Sequence, residues 1–275
     1  MALRLDHAWM RSLPELRWQP VVKRVTVRLG DQLVAVTDRP VLVFEPKRVV
    51  ASYAVPLADL QVALEPGPSG PPPDHRPVGF GEGGPPLLDP SVPFAVHSTD
   101  GEPVRISAAG RTGDGFRLSD PDLHDHVVLD FDGFDWWEED EPLLGHARDP
   151  YHRIDVRRSS RRVRISHAGV LLAETAEPRM LFEGTFPLPR YYLPRGDVVA
   201  DLLPSALDTT CAYKGHATHY DVRAGDEVLP AAAWTYEDPL DDARDVIGLV
   251  SFYQERLDLE VDGEPQERVR TPWSE

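Results

Sequence analysis

The sequence predicts a mainly β protein with two tandem domains and a few short helices. Three observations indicate this: an internal repeat, a strand–turn–strand pattern at the start of each copy, and prolines that close the strands. Residues 24–59 align with residues 162–197 without a gap, and 11 of the 36 pairs are identical. Unrelated sequences would give about two identities, so we infer a duplicated unit. Features of one copy alone are candidates for chemistry.

A β-hairpin is predicted at the start of the first copy. Apolar residues alternate with polar ones over residues 25–29, Gly30-Asp31 turns the chain, and residues 33–37 return. Alternation interrupted by a glycine-containing turn is typical of a hairpin. Pro40 then ends the second strand, because proline cannot donate to a ladder. A third strand is predicted over residues 42–45.

The second copy repeats this pattern. Residues 163–165 alternate, Ala168-Gly169 forms the turn, and residues 170–175 return before Pro178. A third strand is predicted over residues 180–183.

A short helix is predicted after Asp238-Pro239, since Asp is a good N-cap and proline fits the first helical position. Its apolar face is expected to consist of Leu240, Ala243, Val246 and Ile247, with Gly248 following. Asp120-Pro121 echoes this motif at an offset of 118, so the first copy has twenty extra residues. These fit its Pro/Gly-rich stretch, residues 65–93, which is predicted to be a long surface loop.

Residues 79–84 within that loop match the pattern GxGxxG. This pattern binds dinucleotides when a strand precedes it and a helix follows. Pro85-Pro86 follows here, so a dinucleotide site is not expected.

The repeat and the loop together define the expected domains. The first copy is assigned to residues 19–137 and is considered degenerate, and the second, intact copy is assigned to residues 158–264. Residues 138–157 are interpreted as a linker, and residues 1–18 and 265–275 as terminal extensions.

Composition excludes several classes of function. The formal net charge is −17, and a basic face of the kind that binds nucleic acid is not expected. No apolar run is long enough to cross a bilayer, and charged side chains interrupt the N-terminal segment, so the sequence predicts neither a membrane span nor a signal peptide. A cytoplasmic location is the expectation. The single cysteine, Cys211, excludes an intrachain disulfide and zinc sites built from paired CxxC motifs.

Several motifs of the second copy resemble a bacterial family. They are Arg162-Val163, Gly169-x-x-x-Ala173-x-Thr175, Glu183, Tyr191-Tyr192-x-Pro194, Asp197, Cys211-Ala212-Tyr213-Lys214-Gly215, Trp234-x-Tyr236-x-x-Pro239 and Phe252-Tyr253. Together they are similar to domain-of-unknown-function family 427, which carries a nucleotidyltransferase-like label without an established activity. The usual Cys-Pro-Tyr-Lys-Gly of the family is Cys-Ala-Tyr-Lys-Gly here. The resemblance implies a compact fold of the β-tent type over a pocket. The first copy lacks the Cys-to-Gly segment, so a site that depends on it is expected once per chain.

Cys211, Lys214 and Glu183 are the candidate catalytic residues. Residues three apart in a turn can converge, and a nearby ammonium favours the nucleophilic thiolate. The alternative is structural: Cys211 as a small buried residue and Lys214 as an ion-pair partner, with Glu183 a candidate acceptor. Glu183 could serve as a general acid or base if it were buried. Its presence in both copies, as Glu45 in the first, favours a role in building the fold.

The candidate ligand-binding residues are Arg190, Tyr191, Trp234 and Tyr236. An aromatic set with one cation can line a pocket for a planar or anionic small molecule. Core packing is the alternative for the aromatic members, and Arg190 is the member that packing explains least.

No metal site and no cofactor are predicted. His216 and His219 stand at a spacing that places them on opposite faces of a strand. His124 and His126 share a face, but in a polar context that indicates solvent exposure.

We therefore expect an uncharacterised protein with an unidentified small-molecule ligand in the second copy. The sequence leaves open whether it is an enzyme and which oligomeric state it adopts. The alternative is a non-catalytic interaction or structural module.

Overall fold

The computed structural model describes residues 2–68, 86–88, 92–108, 110–184, 186, 188–269, 271 and 274. Two compact units divide these residues, the first ending at Asp149 and the second beginning at Pro150. Both are built mainly from strands, so the prediction of a mainly β chain with a few short helices is confirmed. Residues 79–84 and most of the predicted loop at 65–93 lie outside the described residues.

The described part of the first unit contains a short helix, α1 (Leu5–Ser12), and 3-10 turns at Leu57–Asp59 and Phe131–Gly133. Its strands are β1 (Arg17–Pro20), β2 (Val25–Leu29), β3 (Gln32–Thr37), β4 (Val41–Phe44), β5 (Ser52–Pro56), β6 (Glu65–Pro66), β7 (Gly101–Ala108), β8 (Arg111–Leu118), β9 (His126–Leu129), β10 (Asp135–Glu138) and β11 (Glu141–Pro142). They form a seven-stranded sheet in the order β1-β4-β5-β9-β8-β7-β6 and a four-stranded sheet in the order β11-β10-β2-β3.

The described part of the second unit has 3-10 helices at Arg195–Asp197 and Asp241–Val246. Its strands are β12 (Ile154–Arg158), β13 (Val163–His167), β14 (Val170–Thr175), β15 (Arg179–Glu183), β16 (Arg190–Leu193), β17 (Leu202–Cys211), β18 (Gly215–Ala224), β19 (Glu227–Thr235), β20 (Val250–Phe252), β21 (Asp258–Val261) and β22 (Glu264–Pro265). The sheet orders are β12-β15-β16-β20-β19-β18-β17 and β14-β13-β21-β22.

The two units have the same strand order in both sheets. Both predicted hairpins are present, as β2–β3 and β13–β14. Ala54 of β5 pairs with Val128, and Tyr192 of β16, which follows Ala54 at the repeat offset of 138, pairs with Ser251. Val128 and Ser251 therefore hold the same place, at an offset of 123. We call two residues at the same place in the two units register equivalents.

The extra length of the first unit lies between β6 and β7. Glu65 pairs with Arg105, and Leu203 pairs with Asp221. The offset between the units thus falls from 138 at Glu65 to 116 at Arg105. This connection is longer in the first unit by nearly the length that the sequence predicts.

Each seven-stranded sheet has two covered faces. The inner face packs on the four-stranded sheet; in the second unit this core includes Val163, Leu172, Tyr191, Val222, Phe252 and Leu259. The outer face carries a separate cluster, which consists in the second unit of Leu181, Tyr192, Ala217, Trp234, Tyr236, Ala243 and Val246. Because side chains alternate along a strand, Tyr191 and Tyr192 lie on opposite faces of the sheet.

Some details differ from the sequence-based expectations. The predicted helix after Asp238-Pro239 is a 3-10 helix, and Ile247 follows it with 55% exposure instead of joining its apolar face. The predicted loop at 65–93 begins with strand β6, whose Glu65 and Pro66 pair with β7. The segment interpreted as a linker, residues 138–157, contains β11 and most of β12. No helix in the described residues is long and apolar enough to cross a membrane.

The turn of the β13–β14 hairpin predicts a stabilising substitution. Ala168 and Gly169 have φ values of 47° and 81°, so an alanine occupies the left-handed region. Asn tolerates this conformation better than Ala, and Asn-Gly is favoured in two-residue hairpin turns. We expect Ala168→Asn to raise the free energy of unfolding by about 1 kcal/mol in urea titrations.

Ala176→Asn is the control, because Ala176 is also exposed but is not among the described residues with positive φ. It should change stability little. An Ala168→Asn protein no more stable than wild type would show that the turn is not strained.

Candidate functional site

Five ionisable side chains gather at the outer face of the second unit. We call them the charged cluster: His152, Glu183, Arg190, Lys214 and Glu255. Their contacts form two ion pairs, Lys214 with Glu183 and Arg190 with Glu255, and His152 lies beside Glu183. The cluster therefore unites residues that are far apart in the sequence.

The sheet positions these groups. Glu183 ends β15, two residues after the outer-face Leu181, so alternation directs it to the same face. Arg190 opens β16 directly opposite Leu181. Lys214 lies in the turn that joins β17 to β18, and Glu255 follows β20.

The Lys214 ammonium donates a hydrogen bond to Oε1 of Glu183. The two side chains are 12% and 15% exposed, so both are largely removed from water. Nε2 of His152 lies 3.6 Å from Oε2 of Glu183, and the His152 ring packs on Tyr213 with 4.0 Å between ring centroids.

Pairing outweighs burial in setting the charge of both partners. Burial alone would raise the pKa of Glu183, but Lys214, together with His152 and Arg190, brings that pKa below its ordinary value. Burial alone would lower the pKa of Lys214, but Glu183, Cys211 and Tyr192 raise it above its ordinary value. Both groups are therefore charged at neutral pH.

Arg190 is held by a second carboxylate. Its Nη1 and Nη2 donate to the two carboxylate oxygens of Glu255 at 2.7 Å and 2.5 Å. Thr271 donates a further bond of 2.9 Å to Glu255. The guanidinium also lies over the rings of Phe186 and Trp234, at 4.8 Å and 5.5 Å from their centroids. Its charge is thus balanced within the cluster, which gives Arg190 a structural partner that the sequence did not reveal.

The structure divides the predicted ligand-binding set. Arg190, Trp234 and Tyr236 lie on the outer face, whereas Tyr191 belongs to the inner-face core. The indole Nε1 of Trp234 donates to the Tyr192 hydroxyl at 3.2 Å. Tyr191 cannot contact the same ligand as the other three from its side of the sheet.

Neutral phenols surround the ion pairs. Burial raises the pKa of Tyr192 to about 12 and the pKa of Tyr236 well above its ordinary value. Both hydroxyls therefore keep their protons at neutral pH and can donate hydrogen bonds.

Cys211 lies at the end of β17, opposite Gly215, and is partly buried. It is close enough to Lys214 to contribute to the raised pKa of that ammonium. The three predicted catalytic residues thus occupy one region, with Glu183 and Lys214 in direct contact.

The histidines of β18 lie apart. His219 is 3% exposed and shares a 2.7 Å hydrogen bond with Thr209, whereas His216 is exposed and bonds to Thr210 at 2.9 Å. Among the described residues, no group of three or more His, Cys, Asp or Glu side chains could hold a metal ion.

The first unit contains a counterpart of the Glu183–Lys214 pair. Glu45, the register equivalent of Glu183, accepts bonds from His97 Nδ1 at 2.7 Å and from the Ser98 backbone N–H at 2.6 Å. Counting back from β7 at the offset of 116, Ser98 takes the place of Lys214. The expectation that the first copy lacks this segment altogether is therefore wrong: the place exists, but without a lysine.

Sequence reasoning missed Glu255 and His152 as members of the cluster. Glu255 follows a strand without a motif, and His152 lies in the segment interpreted as a linker. The sequence offered one signal for Glu255. Arg190 stands among aromatic residues, and a buried guanidinium requires a carboxylate partner.

The Glu183–Lys214 pair predicts a large loss of stability when the lysine charge is removed. Lys214→Met keeps the apolar stem but leaves Glu183 buried without its ammonium. We expect the free energy of unfolding in urea to fall by about 3 kcal/mol at pH 7. Lys23→Met is the matched control in the first unit, since Lys23 pairs with Glu138 but is 42% exposed. That variant should lose less than about 1 kcal/mol.

The pH dependence provides a second check. In wild type the pKa of Glu183 lies below its ordinary value of 4.5, so the pair stabilises above pH 4.5 and is lost as pH falls through the lowered pKa. In Lys214→Met, burial should raise the pKa of Glu183 instead. The stability difference between the two proteins should shrink as pH falls from 7 toward 5, because the variant takes up a proton. A constant difference would contradict the assignment.

Comparison with known proteins identifies a domain in the second unit. Residues 155–263 match the family model described as Domain of unknown function (DUF427). A search of curated proteins gave no match. The matched range contains Glu183, Arg190, Lys214 and Glu255, and it covers less than half of the chain. The second unit is therefore similar to the domain of unknown function DUF427.

Proposed function

We propose that the second unit binds a small polar molecule at the charged cluster, with Cys211 in place to react with it. The observation that carries this proposal is the convergence of His152, Glu183 and Lys214 from three separate segments onto one point of the outer face, where their side chains are 9–15% exposed. If the cluster only stabilised the fold, apolar residues would do so equally well, because desolvating an ion pair costs free energy. Ionisable groups kept in such a place are candidates for function.

Lys214 supplies the main contact to the ligand in this proposal. An ammonium has three N–H donors. Within the described residues, Lys214 donates one hydrogen bond, to Glu183. The other donors suit an acceptor on the ligand, such as a carboxylate, a phosphate or a carbonyl oxygen. The Tyr236 hydroxyl, which stays protonated, adds a further donor for the ligand.

Arg190 has a positioning role in this scheme. Its bidentate bond to Glu255 and its contacts with Phe186 and Trp234 fix the aromatic wall next to Lys214. Cys211 is the nucleophile available to an electrophilic ligand, because thiols form covalent intermediates readily.

We also propose that the two units are copies of one duplicated domain and that the ligand site exists in the second copy only. The shared strand orders and the 11 identities support the duplication. In the first unit, His97 and Ser98 lie at Glu45, at the positions that Tyr213 and Lys214 take in the second unit. This difference supports a ligand site in one copy. The domain limits of 19–137 and 158–264 remain part of this proposal.

A non-catalytic interaction module is the competing function. The internal pairing of both cations favours it, because Glu183 and Glu255 already satisfy Lys214 and Arg190. Under this alternative the charged cluster stabilises a docking unit and binds no small molecule.

Chemical labelling of the single cysteine tests the proposal. Iodoacetamide modification of Cys211 is followed by mass spectrometry while the protein is screened against small carboxylates, phosphates and amino acids. A ligand at the charged cluster should slow the labelling and stabilise the protein by about 2.7 kcal/mol at 100 times its dissociation constant. Calorimetry then gives the affinity directly.

Two variants separate the proposal from its competitor. Lys214→Ala should abolish binding, whereas Lys47→Ala, at an exposed position of the first unit, should leave it unchanged. If Lys214→Ala binds as wild type does, the site is wrong. If no compound slows the labelling of Cys211, the interaction module is favoured.

A further inference from the structure

A cavity lies on the inner face of the second unit. Its volume is about 390 Å³, within the range of roughly 300–1,000 Å³ typical of small-molecule sites. The lining includes Tyr191, Gln254 and Leu259 from the unit's core region, together with Pro265, Gln266 and Glu267 near the C-terminal end. Apolar and polar groups thus share one concave surface on the side of the sheet away from the charged cluster.

The first unit fills the same place with aromatic rings. At offsets of 138 and 123, the register equivalents of Tyr191, Leu259 and Gln254 are Tyr53, Trp136 and Phe131. The Trp136 ring stacks between the other two, with centroid distances of 6.0 Å to Tyr53 and 5.5 Å to Phe131. The second unit replaces the indole by a leucine and the phenyl ring by an amide, and the cavity occupies the space.

The tyrosine hydroxyl also changes its surroundings. In the first unit, Tyr53 donates a hydrogen bond of 2.7 Å to Oε1 of Glu138. The register equivalent of Glu138 is Val261, whose side chain cannot accept a hydrogen bond. Tyr191 is 7% exposed as a whole residue, and its hydroxyl makes no hydrogen bond within the part of the chain that the structure describes, so it stays open to solvent and to a ligand. An acceptor on a ligand in the cavity can take this hydrogen bond in place of water, as the Glu138 carboxylate takes that of Tyr53 in the first unit.

We propose that this cavity binds a neutral, planar aromatic molecule that carries an amide-like group. The ring takes the place that the Trp136 indole fills in the first unit. The carbonyl oxygen accepts the Tyr191 hydroxyl, as the Glu138 carboxylate accepts Tyr53. A neutral group is favoured over a carboxylate because Glu267 lines the same cavity. The amide N–H groups can in turn donate to Glu267 or to the side-chain carbonyl of Gln254.

Indole-3-carboxamide is the probe, with indole and indole-3-carboxylate as comparisons. Binding to the full chain is measured by saturation-transfer NMR and calorimetry. Wild type should bind the carboxamide about tenfold more tightly than indole, the difference expected from one hydrogen bond in a buried site. The carboxylate should bind more weakly than the carboxamide. Tyr191→Phe should remove the advantage of the carboxamide over indole while retaining the ring site.

Two variants transfer residues of the first unit into the cavity. Leu259→Trp and Gln254→Phe fill the space with the rings found at Trp136 and Phe131, and each should abolish binding of all three compounds. Circular dichroism establishes that each variant is folded, and Tyr191→Phe decides the question if one is not. Tyr53→Phe in the first unit should leave binding unchanged.

The outcomes are separable from those at the charged cluster. The two sites lie on opposite faces of the sheet, so a failed search for ligands of the charged cluster would not affect this site. The proposal is overturned if wild type binds none of the three compounds at millimolar concentration. It is equally overturned if Tyr191→Phe keeps the preference for the carboxamide or if folded Leu259→Trp still binds.

Discussion

The structure depends on one constraint: a carboxylate at the end of β4 and of β15, Glu45 directly after β4 and Glu183 as the last residue of β15, is buried and must be paired. Burial of an unpaired carboxylate costs several kcal/mol, which is comparable to the whole stability of a domain. Glu45 and Glu183 meet this constraint in different ways. Glu45 is bonded by a histidine and a backbone N–H, whereas Glu183 is paired with an ammonium. In each unit the partner comes from the connection that follows β6 or β17. The residues of that connection therefore determine how the carboxylate at the strand end is paired.

The second solution has consequences for the rest of its unit. An ammonium on the outer face brings charge into a layer that in the first unit is occupied by Val43, Ala54 and Phe116. The second unit places Leu181, Tyr192 and Trp234 on this face. The larger rings enclose Arg190, and Glu255 is needed to balance it. One change of partner at Glu183 is thus accompanied by a second ion pair and a set of phenols with raised pKa values. The outer face of the second unit therefore carries two ion pairs, whereas in the first unit Glu45 is bonded to His97 and to the Ser98 backbone.

Much of the fold could be predicted because the responsible signals are local. Alternation and turn residues define both hairpins, and the repeat at an offset of 138 relates β2–β5 to β13–β16. Local signals were weaker after Asp238-Pro239, where the helical spacing of Leu240, Ala243 and Val246 corresponds to a 3-10 helix that ends before Ile247. The contact between Glu183 and Lys214 was open to inference as an ion pair, because two opposite charges lay in motifs of the same copy. Glu255 and His152 were not, since only sheet pairing brings them to Arg190 and Glu183. The two faces of β16 separate Tyr191 from the rest of the aromatic set, and that division follows from which face the four-stranded sheet covers.

The burial of the charged cluster decides how ionic strength acts on this chain. Near physiological salt the Debye length is about 8–10 Å, so exposed charges farther apart than this are largely screened. Buried ion pairs are screened much less. Glu255 is fully buried, and Glu183 and Lys214 are largely buried, so both ion pairs should persist in concentrated salt as apolar contacts do. The net charge of −17 resides mainly on exposed side chains, and its self-repulsion is what added salt relieves. Salt should therefore favour the compact state of this protein, even though ion pairs between side chains stabilise part of it.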